Sequence, residues 1–98
     1  MSRITFIARM NVKDGHESRF LQLMNELADY VRDHEPGTVQ YQLVRFEKPR
    51  QYGVIEGFRD PAAAEIHSKS ARLAQLAPLI SDCLIGTWEI ESFELLRG

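Results

Sequence analysis

The stretch "VIEGFRDPAAAEIHSKS", residues 54–70, holds a change of element and the first chemical question of the chain. Val54 to Arg59 is β-prone and ends in charge. Asp60-Pro61 then has the composition of a helix start, with Asp as N-cap and Pro at the first helical position. Three alanines favour helix, and His67 falls on the second turn, on one face with Ala63, Ala64 and Ser70. A strand running directly into a capped helix opens a β-α-β unit, and the elements around it complete the pattern.

Upstream, "TVQYQLVRF" (38–46) alternates, "EKPRQ" (47–51) has turn chemistry, and "YGVIEGFR" (52–59) is β-rich, so the pair forms a hairpin. Val39, Tyr41 and Leu43 are expected on one face of the first of these strands, Val44 and Phe46 on the other. Before the hairpin, Phe20, Leu23, Met24, Leu27 and Val31 recur at three- and four-residue steps, which predicts an amphipathic helix over residues 18–34. "EPG" (35–37) ends it. Asp14 and Glu17 have the spacing of a capping pair for its start. "RITFIARMNV" (3–12) is a strand with Ile4, Phe6, Ala8 and Met10 on one face. Downstream, Pro78 is expected to interrupt or end the helical region containing "SARLAQLA", and "TWEIESFELL" (87–96) is a final strand.

The order is β-α-β-β-α-β over one domain, residues 1–98. It predicts an α+β, ferredoxin-like fold: an antiparallel sheet with both helices on one face. Apolar residues on both sheet faces call for a second cover, and a second copy of the chain, making a homodimer, is the expected one.

Composition narrows the function. A hydrophobic share of 44% with 27% charged residues is that of a globular chain. Twelve basic and fourteen acidic residues, scattered without a basic stripe, argue against nucleic acid. No apolar run approaches membrane length or a signal peptide. The single cysteine, Cys83, excludes an intramolecular disulfide, reads as a packing residue, and fits a cytoplasmic compartment. No phosphate loop, nucleotide fingerprint, nucleophile elbow or closely spaced metal-ligand set occurs, so no cofactor and no metal is expected.

"HEPGTVQY" (34–41), "IEGFRD" (55–60) and "AAAEIH" (62–67) resemble the antibiotic biosynthesis monooxygenase family, whose pattern runs "AEPGCxxY", "ExW" and a helix-borne histidine. "FIARMNVKDG" (6–15) is similar to the family's opening strand. The resemblance implies a dimeric α+β barrel and a cofactor-independent monooxygenase. Phe58 stands where the family often has tryptophan, and Arg72 where it often has a second histidine. The haem-degrading branch uses a first-strand asparagine and that tryptophan. With Ala8 and Phe58 there instead, and Asn11 too near the turn, haem degradation is not expected.

His67 is the best candidate for a catalytic base, since imidazole titrates near neutral pH; the plainer reading is a packed histidine with one structural hydrogen bond. Glu56 shares a strand face with Tyr52, Val54 and Phe58. It is the candidate to orient or acidify that imidazole, unless it pairs with an arginine across the sheet. Tyr41, Phe58 and Trp88 are candidate walls of a pocket for a small aromatic or quinone-like molecule, and otherwise core. Arg9 and Arg72 are candidates to hold an anionic group, or surface and interface residues. His16 and His34 are expected at the two ends of the first helix. Three functions fit: oxygenation of a phenol, hydroquinone or polycyclic aromatic; isomerisation or other proton transfer on a small carbonyl compound; and ligand binding by a non-catalytic dimer.

Overall fold

The computed structural model describes residues 3–97. Four strands, β1 (Ile4–Asn11), β2 (Thr38–Arg45), β3 (Gln51–Phe58) and β4 (Glu89–Phe93), form one antiparallel sheet in the order β2-β3-β1-β4. Three helices, α1 (Glu17–His34), α2 (Pro61–Ser68) and α3 (Ala71–Asp82), complete the chain. This is the ferredoxin-like α+β fold, with its second helical region split in two. Ser70 makes the split: its hydroxyl accepts from the Leu73 amide at 3.2 Å and starts a new helix.

The core lies between the sheet and the helices. Phe20, Leu23, Met24, Leu27 and Val31 form the buried stripe of α1. They pack with Met10, Tyr52 and Val54 from the sheet and with Leu76 and Ile80 of α3. Phe20 and Tyr52 meet with ring centroids 5.1 Å apart. The strand alternation is therefore oriented by burial: even-numbered residues of β1 and β3 face the helices.

Four local expectations are corrected. Asp14 does not cap α1. Gly15, at φ +82°, turns the chain after it, the N-cap falls on His16, and no side chain caps the helix. Glu17 instead accepts the Tyr52 hydroxyl at 2.5 Å. Pro78 neither ends nor interrupts α3, which runs through it to Asp82. The lost amide and the ring clash are outweighed by the burial of Leu76 and Ile80 on either side. A register shift between Thr38 and Gln40 leaves Val39 exposed rather than aligned with Tyr41 and Leu43. The last strand is shorter than expected. Only Glu89–Phe93 pairs, along Thr5–Arg9 of β1, which itself begins at Ile4.

The start of α2 follows the sequence closely. Asp60 adopts extended geometry and its carboxylate accepts from the Ala63 amide at 2.8 Å, with Pro61 in the first turn. Asp60→Ala is expected to lower stability by about 1 kcal/mol, measured by urea unfolding. An unchanged midpoint would mean the cap contributes nothing to holding α2. The opposite sheet face carries Ile7, Ile55, Val44 and Phe46, all only partly buried, and Phe46 stacks against Gly53, where a Cβ would come within 2.9 Å of its ring.

Candidate functional site

Three ionisable side chains from three elements meet at one end of the core. His67 comes from the last turn of α2, Glu56 from β3, and Glu35 from the C-terminal boundary of α1. All are buried: 6%, 7% and 5% exposed. Each position has a local cause. Pro36 forces Glu35 out of helical geometry, to φ −124° and ψ 77°, which swings its side chain off the helix axis. Gly37 then lets α2 come close, since a Cβ there would lie 2.6 Å from that of Ala63. The Arg59 amide donates to the Gly37 carbonyl at 2.8 Å and ties the end of β3 to the same corner.

The imidazole is held on one side and open on the other. Nδ1 lies 2.8 Å from Glu35 Oε1, so Nδ1–H donates to that carboxylate. Thr38 donates its hydroxyl to the same oxygen at 3.2 Å. Nε2 lies 3.4 Å from Glu56 Oε1. That is close enough for attraction between charges, yet Glu56 Oε1 has no hydrogen-bond partner, and neither does Glu35 Oε2. We read the Nε2–Glu56 contact as an unclosed pair, because 3.4 Å exceeds the usual length of such bonds. Tyr41 meets the imidazole edge-on and Phe58 at a tilt, each at 5.4 Å between centroids.

The electrostatics follow from this enclosure. Burial, and then the charge of Glu35, push the Glu56 carboxyl up to about 8. Near neutrality Glu56 therefore mostly holds its proton, and with Nδ1 engaged by Glu35 it is His67 Nε2 that faces Glu56. Burial, and then Glu56 and Glu35, raise the Tyr41 phenol far above its ordinary value, so it stays a neutral hydroxyl.

Beside the trio is a cavity of about 210 Å³. His67, Glu56 and Tyr41 form its polar part. Met10, Met24, Leu27 and Ile80 are among its apolar walls, while Ser68 and Ile90, both exposed, belong to its rim. The structure thus brings together His67, Glu56, Tyr41 and Trp88 on one cavity. Phe58 is placed otherwise: it is 1% exposed, packs on Phe6 at 5.8 Å, and backs the imidazole rather than lining the cavity. Glu56 pairs with no arginine across the sheet; its direct neighbour on β2 is Tyr41.

The remaining candidates lie elsewhere. Arg9 is on the other sheet face, 2.7 Å from Glu91 and over the Phe46 ring. Arg72 reaches Glu26 at 3.7 Å. His16 is exposed, and His34, also exposed, stacks on Tyr30 at 4.4 Å. Cys83 is buried, with Sγ 3.6 Å from the Leu79 carbonyl. Among the described residues, no group of three or more His, Cys, Asp and Glu side chains is arranged to hold a metal ion, and no helix is long and apolar enough to cross a membrane.

Glu35 is the member that sequence reasoning missed. A signal was present: a glutamate at the C-terminal end of a helix faces the negative end of the dipole, an unfavourable place without a compensating partner. The partner lies 32 residues away.

The sequence model of the antibiotic biosynthesis monooxygenase family matches residues 3–78, a span that contains Glu35, Tyr41, Glu56 and His67. The chain belongs to this family. Among solved structures, a Caulobacter crescentus CB15 protein shares 23% identity with a TM-score of 0.92, covering 98% of this chain and 92% of that one. An antibiotic biosynthesis monooxygenase shares 26% identity with a TM-score of 0.86 over 96% and 99% of the two chains. A conserved protein of Methanosarcina mazei Go1 shares 25% identity with a TM-score of 0.87 over 96% and 93%. Among curated proteins, none matches the chain.

Proposed function

We propose that this protein is a cofactor-independent monooxygenase acting on a small phenolic, hydroquinone or polycyclic aromatic molecule. The carrying observation is the unclosed His67–Glu56 pair on the wall of an apolar cavity. A proton acceptor held by a second carboxylate, next to a space that excludes water, suits removal of a proton from a bound hydroxyl.

For a hydroquinone the steps balance without an added redox group. His67 Nε2 takes the phenolic proton, while Nδ1–H stays on Glu35 and stabilises the imidazolium. The anion places electron density on a ring carbon, which gives two electrons to dioxygen and forms a carbon–oxygen bond. The resulting hydroperoxide takes up the proton. Loss of that carbon's hydrogen, with cleavage of the O–O bond, releases water and leaves a hydroxylated quinone. One oxygen atom is retained, the other leaves as water, and the substrate is the reductant. Met10, Met24 and Leu27 keep bulk water from the intermediate. Tyr41, neutral and lining the same cavity, serves in this reading as the donor to the developing oxyanion.

A second copy of the chain is part of this reading. Ile7, Ile55, Val44 and Phe46 leave a partly buried apolar sheet face with no helix over it among the described residues, and a homodimer supplies the cover. We place the protein in the cytoplasm, where the buried thiol of Cys83 stays reduced.

The test is turnover of an alkylated hydroquinone under labelled dioxygen. One labelled oxygen in a quinone product supports the reading. Conversion that runs equally well under nitrogen would replace it with proton-transfer catalysis on a carbonyl compound. Binding without conversion would leave a ligand-binding dimer.

A further inference from the structure

The charges around the cavity carry a statement about what can enter it. Its polar part consists of Glu56, His67 and Tyr41, with Ser68 at the rim, and among the described residues no arginine or lysine lines it. Arg9 is engaged with Glu91 on the far sheet face, and Arg72 with Glu26. Glu35 stands behind His67 with one oxygen lacking any partner. An anionic ligand would face the Glu35 carboxylate behind His67 and find no arginine or lysine to balance its charge. A neutral ligand with a hydroxyl, in contrast, can close the gap at Glu56 Oε1 and His67 Nε2.

We propose that the Glu56–His67 edge makes this cavity selective for an uncharged hydroxyl donor and closes it to anionic analogues of the same ring system. The selectivity rests on the cavity being the substrate site, as in the reading above. Removing a proton from the bound molecule does not contradict it. The proton passes to the pair, so the summed charge of site and ligand is unchanged, whereas an anion from solution adds a charge that nothing balances. The pair thus tolerates an anion formed inside the cavity but not one brought in. A ligand lacking the hydroxyl leaves buried polar atoms unsatisfied, a loss of about tenfold to a hundredfold in affinity.

The experiment is calorimetric titration of the intact wild-type protein under nitrogen at pH 7 with three probes of one shape: 4-propylphenol, 4-propylanisole and 4-propylbenzoate. The phenol is expected to bind at least tenfold more tightly than the ether, and at least a hundredfold more tightly than the benzoate. Equal binding of phenol and ether would overturn the donor requirement. Benzoate binding within threefold of the phenol, or no binding by any probe, would overturn the proposal outright. Because dioxygen is absent, the result is separate from the oxygenase reading. A phenol preference without oxygen chemistry in air leaves the selectivity standing and sinks the oxygenase; oxygen-coupled turnover of an anionic hydroquinone does the reverse.

Discussion

At pH 9, Glu56→Gln is more stable than the wild type by several kcal/mol, and near pH 4 the two differ little. The sign follows from the two protonation equilibria. In the unfolded chain Glu56 ionises near 4.5; in the fold, burial and Glu35 raise it to about 8. Below about 4.5 both states hold the proton and there is no penalty. Between 4.5 and 8 the folded state keeps a proton that the unfolded state has released, so stability falls as pH rises, by about 1.4 kcal/mol per pH unit. Above 8 the full cost of a buried carboxylate beside Glu35 is present. Glutamine has the shape of the protonated acid and no charge to lose, so this slope disappears in the variant. Urea unfolding at half-unit steps from pH 4 to 9 measures it. Parallel curves for the two proteins would show that Glu56 is not the group held protonated.

His67→Gln lowers kcat for the phenolic substrate by about 10²–10⁴-fold and leaves KM within a few-fold. The amide of glutamine can still donate to Glu35 Oε1, which keeps the buried carboxylate partnered; it cannot accept a proton at the cavity. The variant therefore separates the two roles of His67. A structural histidine would show the opposite signature, a loss of folding stability with kcat preserved in the folded fraction. Unfolding and initial rates on the same preparation distinguish them.

The fold was legible because its signals are local or periodic. The α1 stripe from Phe20 to Val31 is a three- and four-residue repeat, and the alternation in β1 is a two-residue one. The Asp60 cap bonds to an amide three residues on. What the sequence hid depends on distance or competition. Asp14 had the right spacing for a cap, but Gly15 turned the chain away. Pro78 carries a helix-breaking cost that only the packing of Leu76 and Ile80 reveals as affordable. The site divides the same way. His67 and Glu56 could be proposed from their positions on a short helix and on the helix-facing side of a strand. Glu35 stood in an unfavourable place at a helix C-terminus, but its partner was hidden, because His67 is brought to it by the close approach of α2 to Gly37. Phe58 is aromatic and on the expected face, yet register places it behind the imidazole, opposite Ile4 of β1, instead of on the cavity wall.

The central claim is that the substrate itself reduces dioxygen once this pair has taken its proton. The direct measurement is oxygen consumption by chelator-treated, flavin-free protein supplied with an uncharged alkylated hydroquinone. The expected result is enzyme-dependent uptake of one dioxygen per hydroquinone, unchanged by the chelator. No uptake above the protein-free rate across a series of such hydroquinones, or uptake that appears only when a metal ion or flavin is added back, would contradict it.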